Sequence, residues 1–210
     1  MIEFLSFLQE DLALKVAEHL EVSFIAVGIA LCVGLGLGIG MAYFGNKVFS
    51  WSILNLMNVI VTIPAIAMLG FMVPLFGIGM IPAVIALVLY AQLPILRNTY
   101  TGLTTVAPTV VEAADGLGLS KLETLFKIRF PMAFPVIMAG VRNAIVITIG
   151  IATLAAFIGA GGLGDLIFRG IERSDINLII AGTIPTAMLG IVADLGLRVL
   201  EDRFTSEGLK

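Results

Sequence analysis

The sequence predicts an all-α, polytopic membrane protein with five transmembrane helices. Apolar residues make up 59% of the chain and charged residues only 13%, which is too apolar for a soluble domain. The apolar runs are continuous and lack the alternation of a transmembrane β-strand, so helices are the expected spanning elements. Four runs contain no Asp, Glu, Lys or Arg, and they cover residues 22–46, 48–96, 143–164 and 176–193.

The lengths of these runs define the predicted spans. A helix needs roughly 20 apolar residues to cross about 30 Å of hydrocarbon, so the run at 48–96 is long enough for two helices. The turn between those two helices is marked by Pro74, Gly77, Gly79 and Pro82. The five spans are predicted near residues 22–44, 51–73, 80–97, 134–158 and 176–198. In the first span, Gly36 and Gly40 are spaced to form a small-residue surface on which another helix can pack.

The segments that flank the spans complete the predicted domain organisation. Residues 1–21 hold five acidic residues and one Lys, the wrong charge for a secretory signal, and their Leu and Val residues recur at helical spacing. We therefore expect a short amphipathic lead-in helix at 1–21, a transmembrane domain at 22–200 and a tail at 201–210. One Cys and one His in the whole chain predict neither a disulfide framework nor a metal site.

Basic residues predict the orientation of the chain through the positive-inside rule. If the N-terminus is outside, the inner segments carry eight Lys and Arg residues and the outer segments carry three. The opposite orientation would reverse this bias. We therefore expect an external N-terminus, a cytoplasmic C-terminus and a cytoplasmic loop at 98–131.

The loop at 98–131 has the sequence features of two short helices. Thr109 and Glu112 are three residues apart, as are Ser120 and Glu123, and each pair matches a capping box. Gly118 lies between the two boxes and favours the left-handed conformation that ends a helix. The loop is therefore predicted to form a helical hairpin that turns near Gly118. On these residues alone, a purely structural role for Glu112 and Gly118 is the alternative to a functional one.

The same loop resembles the EAA loop of permease subunits from binding-protein-dependent ABC importers. In that loop Glu-Ala-Ala is followed by three residues, a Gly, nine residues and Ile-x-Leu-Pro, and here Phe130 replaces the Leu. The residues in register are Glu112, Ala113, Ala114, Gly118, Ile128 and Pro131. The resemblance implies the MetI-like permease fold of type I importers and a loop that docks on an ATPase subunit. The coupling residues that it implies are Thr109, Glu112, Ala113, Ala114, Gly118, Leu122, Ile128 and Pro131.

Further stretches resemble the osmoprotectant branch of these permeases, namely residues 62–79, 93–103, 135–144, 148–171 and 181–190. That branch imports glycine betaine, carnitine, choline or related quaternary amines. Another small amine or an amino acid derivative is the alternative substrate. The resemblance implies a second permease subunit, two cytoplasmic ATPase subunits that bind Mg-ATP, and an external substrate-binding protein. It implies no cofactor in this chain, no nucleic-acid partner, and a location in the cytoplasmic membrane of a prokaryote.

Two groups of residues are candidates for contact with the transported molecule or with its binding protein. Polar and aromatic side chains in the spans can hydrate a pathway and contact an ammonium group, with ordinary packing as the alternative for each. The pathway or gate candidates are Asn55, Asn58, Thr62, Phe71, Tyr90, Gln92 and Arg142. Residues 159–164 predict a flexible, glycine-rich turn on the outer face. The candidates there for contact with the binding protein are Gly161, Gly162, Asp165, Arg169 and Arg173.

Charges near the span interiors bear on the class of function. Arg142 and Asp194 lie closest to such positions, where a charge costs roughly 2.5–3.5 kcal/mol and usually has a function. Asp194 can pair with Arg198 one turn later, and anchoring at the membrane surface is the alternative to gating. The chain has no Walker A sequence, so we expect it not to hydrolyse ATP. A secondary carrier, which usually shows paired broken helices or buried charges, and a non-transporting scaffold are the competing classes.

Overall fold

The computed structural model describes the backbone of residues 2–204 and the side chains of residues 11–204. This part of the chain is helical and contains no strand, as the sequence predicts. The first elements are α1 (Ile2–Phe44), α2 (Lys47–Thr62), α3 (Ala65–Phe76), α4 (Met80–Thr104) and α5 (Pro108–Gly116). Next come α6 (Lys121–Glu123), a π-helical segment (Thr124–Arg129), α7 (Phe130–Ala155), a 3-10 turn (Ala156–Ile158), α8 (Gly164–Arg173) and α9 (Ile176–Phe204). Within the described residues, four helices are long and apolar enough to cross a membrane, and α2 with α3 makes a fifth span if the pair is counted as one.

The predicted lead-in helix and the first span form one continuous helix. α1 contains 43 residues, which makes it about twice as long as the hydrocarbon core is thick. No Pro or Gly precedes Gly28 in this helix, so nothing in the sequence ends a helix at residue 21. The boundary expected there is absent, and α1 extends well beyond the membrane. The side chains of residues 1–10 and the tail at 205–210 lie outside the described residues.

The predicted second span at 51–73 is broken in its middle. α2 and α3 are bent by 99° relative to each other. Pro64 causes the break, because it disfavours the helical conformation of the preceding residue, and Ile63 is extended at φ −68° and ψ 128°. A broken helix at membrane depth is tolerated where it is covered by protein or lines a cavity. The hydroxyl of Tyr90 in α4 donates a hydrogen bond to the freed carbonyl of Ile63.

α4 is the central helix of the bundle and packs against both α1 and α7. Close approach to α1 depends on Gly38, where an added Cβ would lie 2.7 Å from Cβ of Thr99. The predicted packing surface at Gly36 and Gly40 is therefore wrong, because both glycines face open space. Gly140 allows the close approach of α7 to α4, since a Cβ there would lie 2.6 Å from the carbonyl oxygen of Pro94.

The bundle has two distinct ends. The loop end carries α5 and α6, together with the C-terminal ends of α1, α4 and α9 and the start of α7. The opposite end carries the junction between α3 and α4 and the helix α8, which packs on α9. The segment at 159–164 is an ordered turn at this opposite end, followed directly by α8, a helix that the sequence analysis does not predict.

Candidate functional site

The hairpin at the loop end begins with α5, whose first turn differs from the predicted capping box. Pro108 occupies the first helical position and Ala107 is the N-cap, without a side-chain capping bond. Thr109 therefore lies inside the helix, two residues after the N-cap position. The Thr109–Glu112 box is wrong for this reason, and Glu112 is an exposed residue with no partner among the described side chains. Capping is thus no longer an explanation for the carboxylate of Glu112.

The turn and the second capping box form as predicted. Gly118 has φ +79°, a left-handed conformation that costs other residues roughly 1–2 kcal/mol. Two hydrogen bonds close the turn, from Gly118 N–H to the carbonyl of Asp115 at 2.9 Å and from Leu119 N–H to the carbonyl of Ala114 at 3.2 Å. Ser120 then caps α6, because its Oγ accepts from the N–H of Glu123 at 3.3 Å.

Glu123 completes this box and is ionised. Its carboxylate accepts from the N–H of Ser120 at 3.0 Å and from Nζ of Lys127 at 2.7 Å. Lys127 and the bonds to Ser120 lower the pKa of this exposed carboxyl to about 2. The second loop helix is not separate from the fourth span, however. It continues through the π-helical segment, where Phe130 N–H donates to the carbonyl of Leu125, into α7.

One face of the hairpin presents apolar side chains to the surroundings. Leu117 is 81% exposed, Leu122 54% and Phe126 51%. Leu125, which belongs to the same apolar sequence pattern, is instead buried against Leu103 and its neighbours. Residues 117, 122 and 126, together with the exposed Glu112 and Ala113, are called the coupling surface below. Ala114 is 3% exposed and packs inward, while Ile128 is half-buried and Pro131 exposed at the start of α7.

The hairpin is connected to the end of α1 behind this surface. Nζ of Lys121 lies 4.8 Å from the ring centroid of Tyr43, within the range of a cation–π interaction. A cavity of about 350 Å³ separates the hairpin from α1 beside this contact. Its walls are Ala42, Tyr43, Val111, Asp115, Lys121, Thr124, Leu125 and Arg129. A displacement of the hairpin would therefore reach α1 as well as α7.

Two of the predicted pathway residues, Asn58 and Tyr90, are associated with one pocket between α2, α4 and α7. Tyr90 lines this pocket, and Asn58 contacts Arg97, which lines it as well. Nη2 of Arg97 donates to Oδ1 of Asn58 at 2.6 Å. A cavity of about 240 Å³ opens beside them. It is lined by Val61, Tyr90, Leu93, Pro94, Arg97, Asn98, Asn143 and Ile147. We call this the polar pocket.

The remaining pathway candidates lie elsewhere. Asn55 is half-buried on α2, and Phe71 is 63% exposed on α3. Thr62 is exposed, and its hydroxyl donates to the carbonyl of Val59 at 2.7 Å within its own helix. Gln92 is buried between α4 and α1, where its amide donates to the carbonyl of Ala30 at 3.4 Å. Gln92 therefore faces α1 and lies away from the polar pocket.

Arg142 joins α7 to α9 through two carboxylates. Its Nε lies 3.2 Å from Oδ1 of Asp194 and its Nη1 lies 2.9 Å from Oε2 of Glu201. Asp194 also pairs with Arg198 at 3.4 Å, as the sequence analysis anticipates. The charge of Arg142 is thereby compensated within the chain, so its proposed gating role would require these pairs to open.

The opposite end is tied to α1 by charges. Gly162 N–H donates to Oε2 of Glu18 at 2.8 Å, and Lys15 Nζ pairs with Asp165 at 2.6 Å. Arg169 pairs with Asp11 at 2.9 Å. The predicted flexibility of this turn is therefore wrong, because its backbone and the first turns of α8 are bonded to α1. Gly161 has φ +74° and a Cβ there would lie 2.5 Å from the carboxylate of Glu18, whereas Arg173 is exposed.

The sequence from residue 34 to residue 206 matches the family described as binding-protein-dependent transport system inner membrane component. This match covers most of the chain. The chain belongs to this family. Such permease subunits of ABC importers are not themselves enzymes, and they are multi-pass proteins of the cell membrane.

The permease has relatives that match it over nearly its whole length. It is 40% identical over 213 residues to the glycine betaine/carnitine/choline transport system permease protein OpuCB of Bacillus subtilis, covering 100% of this chain and 97% of that protein. It is 41% identical over 198 residues to the osmoprotectant import permease protein OsmW of Salmonella typhimurium, covering 92% and 91%. It is also 41% identical over 184 residues to the permease protein OpuCD of the same Bacillus subtilis system, covering 87% and 80%.

The permease also has the fold of solved importers. An inward-facing structure of the MetNI methionine ABC transporter superposes with a TM-score of 0.83 at 20% identity, covering 93% of this chain and 96% of that one. A crystal structure of an amino acid ABC transporter gives a TM-score of 0.74 at 20% identity, covering 97% and 96%. These likenesses concern the fold alone, and they confirm the predicted MetI-like architecture.

Two features of the permease escape the sequence analysis. Leu117 is the most exposed apolar residue of the coupling surface, and its position directly before Gly118 is a signal that could have singled it out. Arg97 appears in the sequence only as one more basic residue at the end of a span. Its position beside Asn58 depends on the packing of α2 against α4, which no local pattern reports.

Proposed function

We propose that the chain is a transmembrane permease subunit of an ATP-driven importer for osmoprotectant quaternary amines. The observation that carries this proposal is the full-length identity of 40% to a permease named for glycine betaine, carnitine and choline transport. A second relative, 40% identical over 210 residues, is named as a choline transport permease. Glycine betaine, carnitine and choline are therefore the substrates to test first.

A second permease subunit completes the pathway in this proposal. The chain is similar to both OpuCB and OpuCD of one system, at 40% and 41% identity, which supports a pair of related permeases. The faces of α2 and α9 also carry many exposed apolar side chains that lipid or a second subunit would cover, including Trp51, Leu56, Ile184 and Val192.

The coupling surface docks on a cytoplasmic ATPase subunit in this proposal. Leu117, Leu122 and Phe126 are exposed apolar side chains on one short hairpin, and they are suited to burial in a groove of the partner. The charge bias of the sequence supports a cytoplasmic position for this end of the bundle. ATP-driven closure of the two ATPases would then move the hairpin, and with it α7 and α1. A substrate-binding protein would dock at the opposite end, near α8.

The test is uptake by the complete complex in proteoliposomes. The permease is purified together with the second permease and the ATPase subunits, and the binding protein is supplied on one side. We expect uptake of radiolabelled glycine betaine, carnitine or choline that requires ATP on the side of the ATPases. Uptake driven by an ion gradient without ATP would support a secondary carrier. ATP-dependent uptake of another amine or an amino acid derivative, with none of these three, would contradict the substrate assignment.

A further inference from the structure

Arg97 is a cation on a spanning helix and has no anionic partner among the side chains that the structure describes. It lies 17 residues after Met80, roughly 25 Å along α4, so it is near the loop end of the span. Among the described side chains it forms one hydrogen bond, to Asn58, and no ion pair. Arg142 and Arg198, by contrast, both pair with Asp194. The cost of a charge falls towards the end of a span, so the feature that singles out Arg97 is its position on a cavity without a counter-charge among the described side chains.

The surroundings of Arg97 are polar and open. Asn98 and Asn143 line the same pocket, and Arg97 and Asn143 are exposed. Lipid would not solvate these groups, so this face of the chain must meet water or protein. Pro94 has no N–H, so the carbonyl of Tyr90 receives no helical hydrogen bond from it.

The hydrogen bond to Asn58 leaves the guanidinium of Arg97 suited to bind a planar anion such as a carboxylate. Asn58 accepts one N–H of Arg97 at 2.6 Å and thereby orients the side chain. The remaining N–H groups form a planar fork that matches a carboxylate. Leu93 and Ile147 supply apolar walls, and such walls suit the methylated part of a small zwitterion. Because Arg97 is exposed, such an anion would be held weakly, as a transport pathway requires.

Building on the proposed function, we infer that Arg97, oriented by Asn58, is a transient binding site for the carboxylate of zwitterionic quaternary amines on their way through the permease. Glycine betaine and carnitine carry this carboxylate and would be favoured. Choline carries a hydroxyl in its place, so it would form no ion pair with Arg97 and would meet a like charge. Arg97 thus acts as a residue that selects among the substrates of the importer.

The experiment compares glycine betaine with choline in the reconstituted complex. Uptake of each at saturating concentration is measured for the wild type, Arg97→Gln, Arg97→Lys and a control, Arg203→Gln, which removes an exposed Arg at the end of α9. We expect Arg97→Gln to lower the ratio of glycine betaine uptake to choline uptake about tenfold, the scale of one lost charge-assisted contact. Arg97→Lys should recover part of the ratio, and Arg203→Gln should leave it unchanged.

ATP hydrolysis stimulated by the loaded binding protein is measured in parallel, and Arg97→Gln should leave it within twofold of the wild type. Equal loss of both uptakes, or a matching loss of ATP hydrolysis, would show that Arg97 pairs with another subunit and would overturn the inference. An unchanged ratio would also overturn it. Where the wild type carries glycine betaine but no choline, a normal glycine betaine rate in Arg97→Gln decides against it. Absence of quaternary amine uptake by the wild type itself would contradict the proposed function instead.

Discussion

The hydroxyl of Tyr90 donates a hydrogen bond to the backbone carbonyl of Ile63, at the residue where the second span breaks. α2 ends there because Pro64 follows, so the carbonyl of Ile63 has no helical donor. A donor from α4 satisfies it and fixes α2 beside the central helix. Tyr90 also lines the polar pocket. The break, its hydrogen bond and the pocket are thus parts of one arrangement around Tyr90.

Replacing Tyr90 with Phe should destabilise this arrangement. The change removes only the hydroxyl and leaves the half-buried carbonyl of Ile63 without this donor, which costs about 0.5–1.5 kcal/mol, the net contribution of a typical hydrogen bond. We expect a lower thermal unfolding midpoint of the purified complex in detergent. The matched control is Tyr100→Phe on the same helix, because the hydroxyl of Tyr100 forms no hydrogen bond with the described residues. Equal midpoints for the two variants would show that the bond to Ile63 contributes nothing.

Two glycines of α1 offer a paired test of its packing on α4. A Cβ at Gly38 would lie 2.7 Å from Cβ of Thr99, whereas a Cβ at Gly36 would meet nothing within 4 Å. Gly38→Ala should therefore force the helices apart and cost about 1–3 kcal/mol. Gly36→Ala should be neutral or slightly stabilising, since Ala is the better helix former. Denaturation of the purified complex measures both, and a Gly36→Ala variant less stable than Gly38→Ala would contradict the assigned register.

The glycine result shows where prediction from the sequence ends. The spans are predictable because roughly 20 apolar residues in a row have few other fates. The face of α1 that packs on α4 is not predictable, because the pair Gly34 and Gly38 has the same spacing as the pair Gly36 and Gly40. Only the packing partner distinguishes these registers, and Ile95 and Thr99 of α4 select the one that contains Gly34 and Gly38.

In the hairpin formed by α5 and α6, the sequence predicts one of the two helix caps correctly and the other wrongly. Ser120 caps α6 as predicted, because its neighbours allow the extended conformation that an N-cap needs. The equivalent pattern at Thr109 fails, since Pro108 is favoured at the first helical position and moves the cap to Ala107. The break at Ile63 is likewise signalled by Pro64, but a proline inside an apolar run does not reveal how large a bend it produces.

Gly118 should be required for the shape of the hairpin. Its φ of +79° is left-handed, and an added Cβ would meet no atom within 4 Å, so the penalty of Gly118→Ala comes from the backbone alone. We expect a cost of roughly 1–2 kcal/mol that is concentrated in the hairpin. Uptake and stimulated ATP hydrolysis should fall, while the amount of protein in the membrane stays constant. The control is Gly116→Ala, which lies within α5 and also faces open space; an equal loss in both variants would exclude the backbone explanation.

Glu112 should act at the ATPase interface and not in the stability of the permease. Glu112 does not take part in capping α5, because Ala107 is the N-cap and the carboxylate of Glu112 has no partner among the described side chains. Glu112→Arg would then place a cation beside the apolar residues of the coupling surface. This charge would weaken docking of the ATPase subunit. We expect at least a tenfold loss of uptake, the equivalent of about 1.4 kcal/mol, with less ATPase recovered on purification of the permease.

Membrane insertion and the thermal midpoint of the permease alone should match the wild type. Asp202→Arg, which reverses the charge of an exposed acid at the end of α9, is the charge-matched control. Normal uptake by Glu112→Arg would remove Glu112 from the interface and leave Leu117, Leu122 and Phe126 to account for docking.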